Sequence, residues 1–139
     1  MSSFVNEHLA DPSVIYTIAR EALLPGGHLF VVVPNRESLS RQLAVAMGLL
    51  QYLDDLSPND RKMGHCRTYS ADDLRAEVVS NHFTMKQEGG LLLKPLADFQ
   101  MNDLLAKSIL TTQHLLGLEK LGQTYPSFCM SIFAVAAPD

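Results

Sequence analysis

The chain has few cysteines, little excess positive charge, no membrane-length apolar run and no glycine-rich loop. Cys66 and Cys129 are its only cysteines. Two thiols so far apart in sequence read as reduced structural residues rather than a disulfide framework, which suggests a cytoplasmic setting. Lys and Arg number 11 against 15 Asp and Glu, a net charge of −4. That balance supplies no basic field for nucleic acid. No apolar stretch approaches the roughly 18 residues of a membrane span, and the N-terminus lacks the basic and apolar regions of a signal peptide. Gly26-Gly27 and Gly89-Gly90 are the only glycine pairs. The first precedes a strand-like run rather than a helix, the wrong context for a phosphate or dinucleotide loop.

What is present is a well-patterned α/β chain. Apolar residues make up 47% and charged residues 19%, ordinary for a packed globular domain. Asp11-Pro12 suits a helix start, and Val14, Ile15, Ile18, Ala19, Ala22 and Leu23 follow at helical spacing. Pro25-Gly26-Gly27 stops that helix. Leu29 to Val33 is apolar without alternation, the pattern of a strand buried on both faces. Ser38 can cap an apolar helix running from Leu39 to Leu56, and Ser57-Pro58-Asn59-Asp60 reads as a turn in a polar loop. Ser70-Ala71-Asp72-Asp73 is a capping-box variant opening a further helix. Phe83 to Leu93 reads as a strand with a bulge at Gly89-Gly90. Asp98 opens one long helix ended by Gly122, and Phe128 to Ala136 is a nearly all-apolar last strand. The expectation is one domain over 1–139, with three strands at about 28–34, 83–93 and 128–136 and helices between.

Glu7-His8-Leu9-Ala10-Asp11-Pro12, then Leu24-Pro25-Gly26-Gly27-His28-Leu29 and Val33-Pro34-Asn35, resemble the class I S-adenosylmethionine-dependent methyltransferases. His65-Cys66-Arg67-Thr68-Tyr69-Ser70 and Gly89 to Leu96 resemble later segments of that family. The resemblance implies a partial doubly wound, Rossmann-like methyltransferase sheet. It places residue 1 at the end of the fourth strand and the last strand antiparallel between the fifth and sixth. The family's G-x-G-x-G loop and ribose-binding acid are missing. At 139 residues the chain is also short of the roughly 200 expected of the whole fold. The chain therefore reads as the carboxy-terminal half of a methyltransferase acting on a small-molecule acceptor. Alone it is expected to bind S-adenosylmethionine weakly or not at all and to be inactive. The other reading is a non-catalytic module that binds itself or a partner.

Candidate site residues fall in three groups. Glu7 and His8 are a carboxylate and an imidazole suited to acid–base work, with Phe4 and Val5 beside them toward the cofactor. Some quinone-biosynthetic methyltransferases resemble this region with E-x-x-E-H holding a divalent ion. Phe4 replaces the first Glu of that pattern here, so no metal is expected. His65, Arg67 and Tyr69 would share one face of an extended segment, where Arg67 could hold an anionic acceptor. Asn35 and Arg36 follow a strand, where open α/β sheets place ligands. Residues 36–69 form a helical insertion that could cover the acceptor. A homodimer is expected, through an exposed strand edge or the apolar helix 38–56.

Overall fold

The computed structural model describes all of residues 1–139. Four strands form one sheet in the order β1-β2-β4-β3: β1 Ser2–Ser3, β2 Leu29–Pro34, β3 Phe83–Leu91 and β4 Ser131–Pro138. β1 runs parallel to β2, with Ser2 opposite Val31 and Ser3 opposite Val32. β4 is antiparallel to both β2 and β3, as expected of a last strand inserted between two others. The fourth strand, β1, is the addition to the three expected. It covers two residues of the β2 edge, and the Phe4 amide extends the ladder by donating to the Val32 carbonyl at 2.9 Å.

The helices are α1 Ser13–Ala22, α2 Leu39–Ala46, α3 Pro58–Met63, α4 Ala71–Ser80, α5 Asp98–Ala106 and α6 Thr112–Thr124. One core holds the molecule together. Tyr16 and Ala19 of α1 and Leu74 and Val78 of α4 pack on Leu29, Val31, Val33, Phe83, Ile132, Ala134 and Ala136 of the sheet. On the opposite face Phe30 stacks against Phe133, ring centroids 5.4 Å apart, and both stay half-buried. Burial on that face of β2 is thus lighter than the unbroken apolar run Leu29–Val33 suggests.

Four stretches depart from their sequence pattern. The helix expected to reach Leu56 stops at Ala46, because Gly48 turns the chain at φ +73. The expected loop at 54–62 contains α3, whose start is a complete capping box: Ser57 accepts from the Asp60 amide and Asp60 accepts from the Ser57 amide. The long helix after Asp98 breaks between Ala106 and Thr112, where Ser108 takes φ +57, and Gly122 lies inside α6 rather than ending it. The irregularity in β3 falls between Met85 and Gln87 instead of at the glycines. Gly89 and Gly90 are needed for close approach. A Cβ at Gly89 would sit 2.7 Å from the Phe133 ring, and one at Gly90 2.4 Å from the Pro126 carbonyl. Of the remaining caps, Asp11 accepts from the Ser13 amide at 2.9 Å, and the Ser70–Asp73 box opens α4 as its sequence implies.

Candidate active site

The parallel strands β1 and β2 end side by side, and the chain leaves both at the same end of the sheet. After β1 comes a 3-10 turn, Asn6–His8; after β2 comes Asn35-Arg36. A bridge between Asn35 and Tyr69 brings in the segment that precedes α4. All three groups of sequence-derived candidates therefore gather at one end of the sheet. Their side chains then part company.

Glu7, His8 and His65 converge. Glu7 is 1% exposed, and neither carboxylate oxygen accepts a hydrogen bond from the protein. Burial pushes its carboxyl above the ordinary range, against the opposing pull of the His8 and His65 imidazoles. The His8 Nε2 lies 4.0 Å from Glu7 Oε1, and the His8 and His65 rings meet edge to face with centroids 4.7 Å apart. One ligand-type atom from each of the three residues lies within 4.8 Å of the others. Extended-strand periodicity groups His65 with Arg67 and Tyr69; its place beside Glu7, 58 positions earlier in the chain, has no local signal.

Backbone zippering fixes that meeting. The Cys66 amide donates to the Glu7 carbonyl at 2.8 Å. Arg67 Nη2 donates to the Leu9 and Ala10 carbonyls at 2.8 and 2.7 Å. Gly64, in the left-handed region at φ +80, ends α3 and delivers the chain into this pairing. On its outer side His65 Nδ1 lies 3.2 Å from Asp60 Oδ1. Asp60 is itself held by the Ser57 amide and by Arg41. Burial alone would raise the Asp60 carboxyl, but those hydrogen bonds and the Arg41 charge outweigh it and hold it low.

The other candidates point elsewhere. Arg67 spends its guanidinium on the Leu9 and Ala10 carbonyls, with Nε buried and unpartnered. Tyr69 is buried, and its hydroxyl donates to Glu77 at 2.6 Å. Asn35 is a clamp: Nδ2 donates to the Ser127 and Cys129 carbonyls at 2.8 Å each, and Oδ1 accepts from the Glu37 amide. Arg36 pairs with Asp73 at 2.9 Å and stays partly exposed. Phe4 and Val5 are exposed and apolar, with Phe4 at φ +55. Glu77 was not singled out in the sequence at all. It accepts from Tyr16, Tyr69 and Asn6, the last at 2.8 Å, and so anchors the turn that carries Glu7. Two surface grooves, one by Leu74, Arg75 and Phe133 and one by Val5, Ile18 and Leu23, include neither Glu7 nor His65.

A mixed four-stranded α/β sheet with flanking helices, its last strand inserted antiparallel between two others, is consistent with a Rossmann-like methyltransferase fold. Among solved structures the chain is similar to an S-adenosylmethionine-dependent methyltransferase from Mesorhizobium loti. The TM-score is 0.53 and the identity 13%, over 97% of this chain and 58% of that protein. The chain thus spans a little over half the length of that neighbour. No protein-family model matches the sequence, and neither does any curated protein.

Proposed function

We propose that this chain is the acceptor-side half of an S-adenosylmethionine-dependent methyltransferase that modifies a small molecule. The observation that carries the reading is the buried, unpaired Glu7 carboxylate beside two imidazoles, at the strand ends of a methyltransferase-like sheet. S-adenosylmethionine supplies an electrophilic methyl group when bound to an enzyme of this kind. The residues on the cofactor side here, Phe4 and Val5, are exposed and apolar and offer no side-chain donor for a ribose. Its own part is to hold the acceptor and take its proton. Glu7 is suited to that: burial raises its proton affinity above that of a free carboxylate. His8, with its side chain 36% exposed, faces the solvent from which an acceptor arrives. Residues 36–69, held together by Arg41 through Asp60 and the Leu53 carbonyl, are the candidate cover for the acceptor. The free thiols Cys66 and Cys129 suit a cytoplasmic enzyme. No helix is long and apolar enough to cross a membrane.

Calorimetric titration of the pure chain with S-adenosylmethionine tests the half-enzyme reading; no measurable heat is expected, and micromolar binding would refute it. For the methyltransferase reading the assay is methyl transfer from labelled S-adenosylmethionine by the protein as encoded with its upstream sequence. Glu7→Gln should lower kcat there by 10²-fold or more, the usual range for a general base. Unchanged turnover would remove Glu7 from the chemistry.

A second reading, self-association, is favoured by one observation. β1 pairs with only two residues of β2, and Met1, Val5, Val14 and Ile18 nearby are exposed. Leu43, Met47 and Leu49, in and just after α2, add apolar surface of their own. Light scattering coupled to size exclusion should give a dimer, and a 15.3 kDa monomer at high concentration would count against it.

A further inference from the structure

The cluster of Glu7, His8 and His65 has a feature that acid–base work does not require. A carboxylate withdrawn from water with no hydrogen bond from the protein is costly, unless something of opposite charge meets it. No Lys or Arg does so: Arg67 is turned to the Leu9 and Ala10 carbonyls, and Arg41 to Asp60 and the loop after α2. What faces Glu7 is two imidazoles, from His8 and His65.

We propose that Glu7, His8 and His65 form a binding site for one divalent transition-metal cation of the zinc or cobalt class, with further coordination positions open on the solvent side.

The donor set is one carboxylate and two imidazoles. Imidazole suits Zn, Co, Ni and Fe, whereas Mg²⁺ prefers an all-oxygen shell, so the pair of histidines selects the cation. The ligand-type atoms now lie within 4.8 Å of one another. Bonds of about 2.1 Å at tetrahedral angles put ligand atoms roughly 3.4 Å apart. Closure of up to roughly 1.4 Å, from 4.8 Å to the tetrahedral spacing, falls to His8, the ligand whose side chain is partly exposed. The other two ligands are already set. Glu7 is fixed by the anchored turn. His65 is fixed by the Cys66–Glu7 backbone bond and by Asp60, which at 3.2 Å from Nδ1 orients the ring and frees Nε2 for a cation. A carboxylate behind a ligating histidine is the usual outer support of such a site. Phe4 then needs no ligating role; the third donor comes from His65, after α3. Three protein ligands leave at least one position for an oxygen of water or of an acceptor, whose proton the cation would make more acidic. That last role rests on the acceptor-side reading above; cation binding itself does not.

The experiment therefore uses this chain without cofactor or acceptor. Zn²⁺ is titrated calorimetrically into the chelator-treated protein, and Co²⁺ is followed by its visible d–d absorption. The expected result is one ion per chain, with a Co²⁺ spectrum of four or five coordination. His8→Ala, at the most exposed of the three ligands, should weaken Zn²⁺ binding more than tenfold. His65→Ala and Glu7→Gln should do the same, and Asp60→Asn should weaken it by about 10- to 100-fold. His28→Ala, remote from the cluster, should change nothing. Zn²⁺ binding no tighter than millimolar, binding that survives both His8→Ala and His65→Ala, or displacement of Zn²⁺ by equimolar Mg²⁺ would each overturn the site. The methyltransferase reading would stand after any of these, because it is judged on methyl transfer by the intact enzyme. Conversely, an intact protein that transfers no methyl group would leave a measured Zn²⁺ affinity in place.

Discussion

The sheet with α1 and α4 and the segment from Arg36 to Tyr69 are built on different physics. In the first, side chains interlock: Tyr16 meets Phe83 with ring centroids 5.5 Å apart, and Val31, Val33, Val78 and Ala134 are fully buried. In the second, α2 and α3 bury no residue completely, and Leu43, Met47, Leu49, Tyr52 and Met63 face outward. What holds it is polar and sparse. Arg41 reaches from α2 to the Leu53 and Asp55 carbonyls and to Asp60, so one side chain ties α2, the following loop and α3 together. Stability and site geometry are thus separable here: the apolar region keeps the fold, and the polar region places His65.

That contrast breaks most visibly in the core. Phe83→Ala should cost about 3–5 kcal/mol, read as a large fall in the denaturation midpoint, while Leu43→Ala should stay within about 0.5 kcal/mol. Equal losses would mean that the two regions share one core. Next comes the buried polar anchor. Glu77→Leu strands the hydroxyls of Tyr16 and Tyr69 and the amide of Asn6, and should cost roughly 2–4 kcal/mol, with Glu77→Gln recovering part. An intermediate effect is expected for Arg41→Ala. It should speed tryptic cleavage after Arg61 or Lys62 several-fold while moving the global midpoint by about 1 kcal/mol or less, because local opening is cheaper than unfolding. Unchanged cleavage would show that α2 and α3 hold themselves.

The smallest effect is a pH slope. The folded state holds the Glu7 proton more tightly than the unfolded chain does, so the contribution of Glu7 to stability is fully present below pH 4.5 and is lost as pH rises through the raised folded value. Glu7→Gln should flatten that decline and leave the metal-free protein slightly more stable at neutral pH. A stability–pH profile identical to that of the unaltered chain would mean the carboxylate is satisfied after all.

Legibility in the sequence follows the same divide. β2, β4, α1 and α4 could be read because their signals are local: an apolar run, helical spacing, a Ser–Asp box. Even the antiparallel insertion of β4 was implied by family resemblance. The 36–69 segment was harder to read because apolar residues at helical spacing continue past Gly48, whose positive φ ends α2, and because Ser57-Pro58-Asn59-Asp60 serves equally as a turn or as a helix start. At the site, Glu7, His8 and His65 were each visible as chemistry-bearing residues. Their meeting was not, since it depends on backbone bonds between positions 7–10 and 66–67. Arg67 and Tyr69 looked like acceptor ligands on extended-strand periodicity. The structure gives their polar groups to carbonyls and to Glu77, partners that no local pattern announces.

The position of β4 has a consequence for how the chain is made. β4 is last in sequence and central in space, hydrogen-bonded to β2 on one side and β3 on the other. On the ribosome β2 emerges about a hundred residues before β4 does, roughly 5 to 20 s at ordinary elongation rates. During that interval β2 and β3 both lack the strand that lies between them. These strands therefore close like a keystone arch, only once β4 has emerged to fill the gap between β2 and β3. A chain interrupted before Ser131 would leave β2 and β3 with nothing to join them.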